Sequence, residues 1–217
     1  MTATPAADQA RLWGGAFGRA YTDRNTYDLD ELEAFYRRQW GVSRTEMNTR
    51  VIGDLPRDSR ILEVGANTGN QLLCLAAMGF TELYGIELQR YAVEGCQARL
   101  PGVNVIQGSA FDIPFKDGYF DLVFTSGVLI HIPPAELAPA MAEIHRCARR
   151  YIWGFEYYED SFTEILYRGE RAAMWKGPYA RRYLDLFDDL RLVREAKFPY
   201  VAEPNVDAMF LLEKETR

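Results

Sequence analysis

Ile61-Leu62-Glu63-Val64-Gly65-Ala66-Asn67-Thr68-Gly69-Asn70 is the stretch that decides how this chain folds. A short apolar run ends in a turn holding two glycines and passes directly into a helical pattern. That order opens a βαβ unit, and in an open α/β sheet a ligand enters above the carboxyl end of such a strand. Gly65 lets the chain turn without a Cβ clash, and Gly69 permits close approach of helix and ligand. The same alternation then repeats downstream. Strands are expected at 60–64, 82–87, 103–107, 120–125, 150–155, 191–198 and 207–213, with helices at 69–78, 88–99, 135–149 and 180–188. Strands alternating with helices predict an α/β fold on a mostly parallel sheet.

Outward from that core, residues 10–58 read as an N-terminal helical cover, and residues 1–9 as a disordered tail. Ser43 and Glu46 form an S-x-x-E capping box, which starts a helix at about 44. Asp30 before Glu31 is a weaker start signal. The cover is rich in aromatics (Trp13, Phe17, Tyr21, Tyr27, Phe35, Tyr36, Trp40), as a layer over a site or an ordinary core would be. Residues 59–217 form the core, and no internal repeat or linker divides the chain, so one compact domain is expected.

Composition narrows the function. A net charge of -6 disfavours nucleic acid, which calls for a basic surface. No apolar stretch approaches the ~20 residues of a membrane span, and the start has no secretion signal. Three scattered cysteines make neither a disulfide framework nor a zinc pattern, so a reducing, cytoplasmic setting is expected and no metal. The expected partner is a small molecule, with the chain a monomer or a homodimer. One segment reverses the charge: residues 166–183 carry Arg168, Arg171, Lys176, Arg181 and Arg182 against Glu170 alone. It reads either as an anion site or as a solvated surface.

The ligand follows from the turn. Glu87 ends the second strand, 22 residues after Gly65, where a carboxylate can accept both hydroxyl protons of a ribose. A dinucleotide fingerprint needs glycine at its middle position so that the backbone can approach a pyrophosphate. Asn67 stands there and would crowd two phosphates. A nucleoside without phosphates escapes the conflict, which favours S-adenosylmethionine over NAD. Two later blocks agree: Gly108-Ser109-Ala110-Phe111-Asp112-Ile113-Pro114-Phe115 after the third strand, and Phe120-Asp121-Leu122-Val123-Phe124. In the first, Phe111 or Ile113 either sandwiches the base or simply packs under the loop.

Together these blocks resemble the class I S-adenosylmethionine-dependent methyltransferases. That likeness implies a Rossmann-like fold with a seven-stranded sheet and an antiparallel last strand. It also implies that Glu63, Gly65 and Gly69 serve the methionine portion, that Asn67 lies at the cofactor, that Glu87 holds the ribose, and that Ser109, Ala110 and Asp112 lie near adenine. Asn67 and Ser109 depart from the usual Gly and Asp. Outside these blocks, Trp13-Gly14-Gly15-x-Phe17-Gly18-x-x-Tyr21-Thr22-x-Arg24-Asn25, Glu156-Tyr157-Tyr158, Glu164-Ile165-x-Tyr167-Arg168-Gly169 and Met209-Phe210-Leu211-Leu212-Glu213-Lys214 look like the methylases associated with pseudaminic acid biosynthesis. That group includes a phosphonate O-methyltransferase.

By this resemblance the chain is a methyltransferase of a small anionic metabolite, most specifically a phosphonate, that leaves S-adenosylhomocysteine as product. An amino sugar or sialic-acid-like acceptor is the rival on the same fold, and a nonenzymatic nucleoside-binding protein is the rival of another class. His131, just past the fourth strand, is the expected catalytic side chain, as base or as orienting group. Arg168 and Lys176 are expected on the acceptor, with Arg24 and Arg181 in reserve. Tyr21 is expected on the cofactor and Tyr158 on the acceptor. An insertion at about 157–183 would cover the acceptor side.

Overall fold

A computed structural model describes residues 5–215. The chain opens with four helices: α1 (Pro5–Gly14), α2 (Ala16–Arg24), α3 (Leu29–Trp40) and α4 (Arg44–Ile52). Residues 5–9 of the expected tail therefore belong to α1, while 1–4 lie outside the described residues. The capping box at α4 is present as expected, Ser43 accepting from Glu46 N–H and Glu46 reaching back to Ser43 N–H. The signal at Asp30 sits two residues late. Asp28 caps α3 and forms a second reciprocal box with Glu31, because Asp28-x-x-Glu31 has the spacing that satisfies two orphan N–H groups. Gly41 then ends α3 in the left-handed conformation at φ 72°.

The remaining elements are β1 (Arg60–Val64), α5 (Asn70–Ala77), β2 (Glu82–Glu87), α6 (Arg90–Arg99), β3 (Asn104–Gln107), β4 (Phe120–Ser126), α7 (Leu137–Cys147), β5 (Ala148–Tyr157), β6 (Thr163–Tyr167), β7 (Glu170–Lys176), α8 (Tyr179–Leu186), β8 (Leu190–Pro199) and β9 (Val206–Lys214). The main sheet runs β3-β2-β1-β4-β5-β9-β8. Its first five strands pair in parallel, and β9 inserts antiparallel between β5 and β8. The expected Rossmann-like sheet of seven strands with an antiparallel last strand is thus borne out.

Helices cover both faces, and side chains alternate between them with the strand period of two. Ile61, Leu122, Phe124, Trp153, Met209 and Leu211 pack under α4 and α5. Leu62, Val64, Val123, Ile152, Phe210 and Leu212 pack under α7 and α8. The edge strand β8 exposes Arg191, Arg194 and Lys197, charges that discourage pairing with another chain. No helix among the described residues is long and apolar enough to cross a membrane.

One element escapes the sequence reading. Residues 163–176 form a separate two-stranded hairpin, β6–β7, turning at Arg168 and Gly169, both at positive φ (51° and 87°). Two left-handed residues between paired strands make a primed hairpin turn.

Candidate active site

The turn after β1 is built by close backbone approach. Gly65 sits at φ 77°, and a Cβ there would come within 2.5 Å of Val128 Cγ2. Gly65 and Ala66 N–H both donate to Ile86 O, at 2.8 and 2.9 Å, which locks the turn onto β2. Asn67 adopts the left-handed conformation (φ 47°) and donates its N–H to Glu87 Oε2 at 2.9 Å. Glu87 Oε1 accepts from Gln89 N–H at 2.9 Å. The carboxylate is thus fixed between two loops and 9% exposed, and burial pushes its pKa up. Gly69, at φ 81°, has a different duty from the one expected. A Cβ there would meet Cys96 Sγ at 2.5 Å, so the close approach it permits is to α6.

Above this turn lies a cavity of about 400 Å³, within the range of small-molecule sites. Of the expected cofactor residues, Tyr21, Glu63, Gly65, Asn67, Glu87, Ser109 and Ala110 line it, whereas Gly69 and Asp112 do not. Asp112 is exposed and closes a tight turn on Ser109, whose hydroxyl oxygen accepts from Phe111 N–H at 3.2 Å. Phe111 lines the cavity, and Ile113 is buried in the core beneath it. Glu63 is 2% exposed, and burial holds its carboxyl well above the usual range, with Arg44 opposing that rise. Glu63 Oε2 and Asn67 Oδ1 are buried without a hydrogen-bond partner among the described residues. Such orphans call for a ligand or water.

His131 also lines the cavity. Its ring packs 4.2 Å from Trp13 of α1 and 5.9 Å from Tyr167 of the hairpin, centroid to centroid. Its Nδ1 bonds Ala173 O at 2.9 Å. A carbonyl only accepts, so the proton sits on Nδ1 and Nε2 keeps its lone pair. Burial lowers the pKa to about 4, which keeps the ring neutral.

Glu156 holds the turn that carries His131, and sequence reasoning gave it no role. It takes a hydrogen bond from Val128 N–H on Oε1 and one from Ile130 N–H on Oε2, each at 3.3 Å. It is fully buried, and desolvation raises its carboxyl to about 7. Its place in Glu156-Tyr157-Tyr158 was a motif signal, but its inward direction follows only from the strand register.

The expected acceptor cations do not line the cavity. Arg24 ends α2, exposed. Arg181 faces solvent on α8 and pairs with Asp185 at 2.7 Å. Lys176 closes β7 and bonds Asn205 Oδ1. The Tyr158 hydroxyl donates to Asp160, and its ring lies beneath Lys197 at 3.6 Å. Arg168 occupies the hairpin turn, exposed, its guanidinium 5.8 Å from the centroid of the Tyr167 ring. The hairpin instead turns Tyr167 and Met174 into the cavity, since turn residues point away from the face that strand residues cover.

The far end of the cavity was not anticipated. It is formed by Tyr36 and Trp40 of α3, Phe155 and Tyr157 of β5, Tyr200, and Asp207 of β9. Behind its wall Arg44 is 0% exposed, donating to Tyr36 Oη and Ser126 Oγ at 3.3 Å each, with the Phe155 ring 4.4 Å away. No Lys or Arg lines the cavity among the described residues, while Glu63, Glu87 and Asp207 do.

Residues 62–151 match the family model described as a methyltransferase domain. The chain is 32% identical over 87 residues to an uncharacterized methyltransferase of Synechocystis sp., covering 40% of this chain and 41% of that protein. It is 31% identical over 97 residues to an O-methyltransferase of Aspergillus nomiae, covering 41% and 43%. It thus spans about two fifths of the curated relatives it matches. The structure is similar to a Burkholderia thailandensis 1,6-didemethyltoxoflavin-N1-methyltransferase with bound 1,6-didemethyltoxoflavin and S-adenosylhomocysteine, at TM-score 0.74 and 16% identity, covering 100% and 92% of the two chains. It is also similar to the magnesium protoporphyrin IX methyltransferase of Synechocystis with bound S-adenosylmethionine, at TM-score 0.68 and 13% identity, covering 99% of each. The chain has the fold of the class I S-adenosylmethionine-dependent methyltransferases, with residues 62–151 matching the methyltransferase domain.

Proposed function

We propose that this protein is an S-adenosylmethionine-dependent methyltransferase of a small-molecule acceptor. The observation that carries this is Glu87, fixed at the tip of β2 and lining a cavity that also exposes the turn after β1. The carboxylate takes backbone N–H groups from Asn67, Leu88 and Gln89, and its two oxygens offer four acceptor positions, so acceptor capacity is left for a ribose hydroxyl. The residues fit the cofactor. Gly65 lets the turn close against Val128 and line the cavity, and Asn67 puts a side chain where a diphosphate-binding turn carries glycine. Glu63, with its unpartnered Oε2, offers a carboxyl to the positive end of the methionine portion. When bound, the cofactor supplies an activated methyl group on a sulfonium.

The chain's own residues then position the acceptor. Ser126, Gly127 and Val128 at the end of β4, with His131 beyond, form the wall beside which the acceptor atom would lie. His131 Nε2 accepts a hydrogen bond from an acceptor hydroxyl and orients its oxygen. A pKa near 4 makes it a poor store for a proton at neutral pH. Trp13, Tyr21 and Tyr167 shield this region from water, which strengthens each polar contact within it.

O-methylation of a phosphonate remains the acceptor reading. Its support is local: Arg168 follows Tyr167, a lining residue, and its exposed guanidinium lies 5.8 Å from that ring, from where it would hold an anionic end. A phosphonate monoanion has an anionic oxygen that needs no base and a P–OH that can donate to the neutral His131 Nε2. Amino sugars are the second reading, favoured by the three carboxyls of the cavity. The test is mass spectrometry after incubation with S-adenosylmethionine and separate phosphonate and amino-sugar panels. A species heavier by one methylene in the phosphonate arm supports the proposal, and transfer to sugars alone rejects the phosphonate.

A further inference from the structure

Asp207 presents an unusual combination. It is 1% exposed, lines the cavity, and its Oδ1 has no hydrogen-bond partner among the described residues. Its Oδ2 accepts from the Tyr200 hydroxyl at 3.2 Å. Around it stand four aromatic rings. Trp40 meets Tyr200 edge-on at 5.0 Å and Phe155 at 5.7 Å, and Tyr157 meets Tyr200 at 6.2 Å. Burial raises this carboxyl to about 7 against the hydrogen bonds of Tyr200 and Trp40, so an ammonium group is the partner that would hold it ionised, and the neighbouring aromatic rings suit such a cation. The Arg44 charge lowers the Asp207 value from behind the wall, but its guanidinium is spent on hydrogen bonds to Tyr36 and Ser126.

We propose that Asp207, walled by Trp40, Phe155, Tyr157 and Tyr200, is a cation subsite that takes a protonated amine of the methyl acceptor. The proposal rests on the reading of this cavity as the acceptor site and narrows the acceptor to amine-bearing metabolites. The cofactor's own ammonium does not reach it. The nucleoside side lies at β1 and β2, whereas β9 is three strands from β1, about 14 Å at ordinary strand spacing. An acceptor with its amine at Asp207 would extend the rest of the molecule toward the end of β4, where Ser126, Gly127 and Val128 line the same cavity.

The test is calorimetric titration of 2-aminoethylphosphonate and glucosamine, each against its N-acetyl form, with and without S-adenosylhomocysteine. Wild type should bind at least one free amine about tenfold or more above its N-acetyl form, the scale of one charge-assisted contact. Asp207→Asn should erase that preference and leave the affinity for S-adenosylhomocysteine within about twofold. Tyr157→Leu keeps the carboxylate but removes a ring, and should reduce the preference severalfold, so a poorly folding Asp207→Asn still leaves a decision. An unchanged preference in both variants, or no free amine preferred by wild type, overturns the subsite. Failure of S-adenosylhomocysteine to bind strikes the cofactor reading instead, and the titrations without it still decide on the amine.

Discussion

Glu156→Gln gives a prediction whose size follows from the structure. Burial raises the carboxyl from 4.5 to about 7, against the hydrogen bonds from Thr125 and the backbone of the 128–130 turn. The folded state therefore binds a proton that the unfolded state has released between these values, and stability falls as pH rises through the window. The contribution is fully present below 4.5 and lost above about 7. At 1.36 kcal/mol for each tenfold change in proton affinity, the loss is about 3 kcal/mol. Glutamine cannot titrate, but its NH2 must face one of the N–H groups that the two carboxyl oxygens accept, which costs the variant a constant amount at every pH. Between pH 5 and pH 8.5 the stability difference should therefore shift by about 3 kcal/mol in the variant's favour. Glu63 and Glu87 also have raised values, but they are common to both proteins and largely cancel in the comparison, whereas the Glu156 charge helps to raise Asp207, so its loss shifts the difference in the same direction. The assay is urea unfolding followed by circular dichroism at several pH values. A stability difference that stays constant across pH would refute the reasoning, because only a proton uptake specific to Glu156 makes it vary.

Gly65→Ala forces a side chain into a left-handed backbone and against Val128. It should cost about 1–2 kcal/mol in urea unfolding, and should weaken S-adenosylhomocysteine in calorimetry; unchanged values for both would contradict the turn geometry. Glu87→Gln should weaken S-adenosylhomocysteine by roughly ten- to a hundredfold, the worth of hydrogen bonds to a charged group, with unaltered binding counting against the ribose assignment. His131→Asn should lower turnover without moving any inflection of the rate between about pH 5.5 and 8, since His131 is already neutral there. An inflection present in wild type and absent in the variant would return His131 to the role of a titrating base. Arg168→Ala should raise KM for a phosphonate acceptor by about tenfold or more and leave cofactor affinity nearly unchanged; equal loss of both would remove it from the acceptor rim.

How much of this was readable beforehand depended on whether a signal was local. The run from Ile61 to Asn70, with Glu87 at the next strand end, carried the turn, the sheet and the cofactor side, because each depends on residues close in sequence. Ser43 and Glu46 fixed a helix start for the same reason, while Asp28-Leu29-Asp30-Glu31 offered two acidic caps and only the spacing to Glu31 distinguished them. The hairpin at 163–176 was hidden by its basic residues, although Arg168-Gly169 between Tyr167 and Glu170 has the form of a tight turn. Charge in the sequence pointed to an anion site there, but strand alternation sent Tyr167 and Met174 inward instead. Arg44 reads as an exposed first helical residue. Its burial exists only because α4 lies across the rings of Tyr36, Trp153 and Phe155. Asp207 likewise resembles a polar strand end until β9 pairs it with Tyr157. Contacts between distant segments set the acceptor side, and periodicity alone does not encode them.

The central claim is that the cavity holds a sulfonium nucleoside tethered by Glu87. A crystal structure with S-adenosylhomocysteine tests it most directly. Both ribose hydroxyls should lie within hydrogen-bonding distance of Glu87, with the homocysteine tail running past Gly65 toward Glu63. A nucleoside bound with Glu87 turned away from the sugar, or NAD bound with its diphosphate bridging the turn at Asn67, would contradict it.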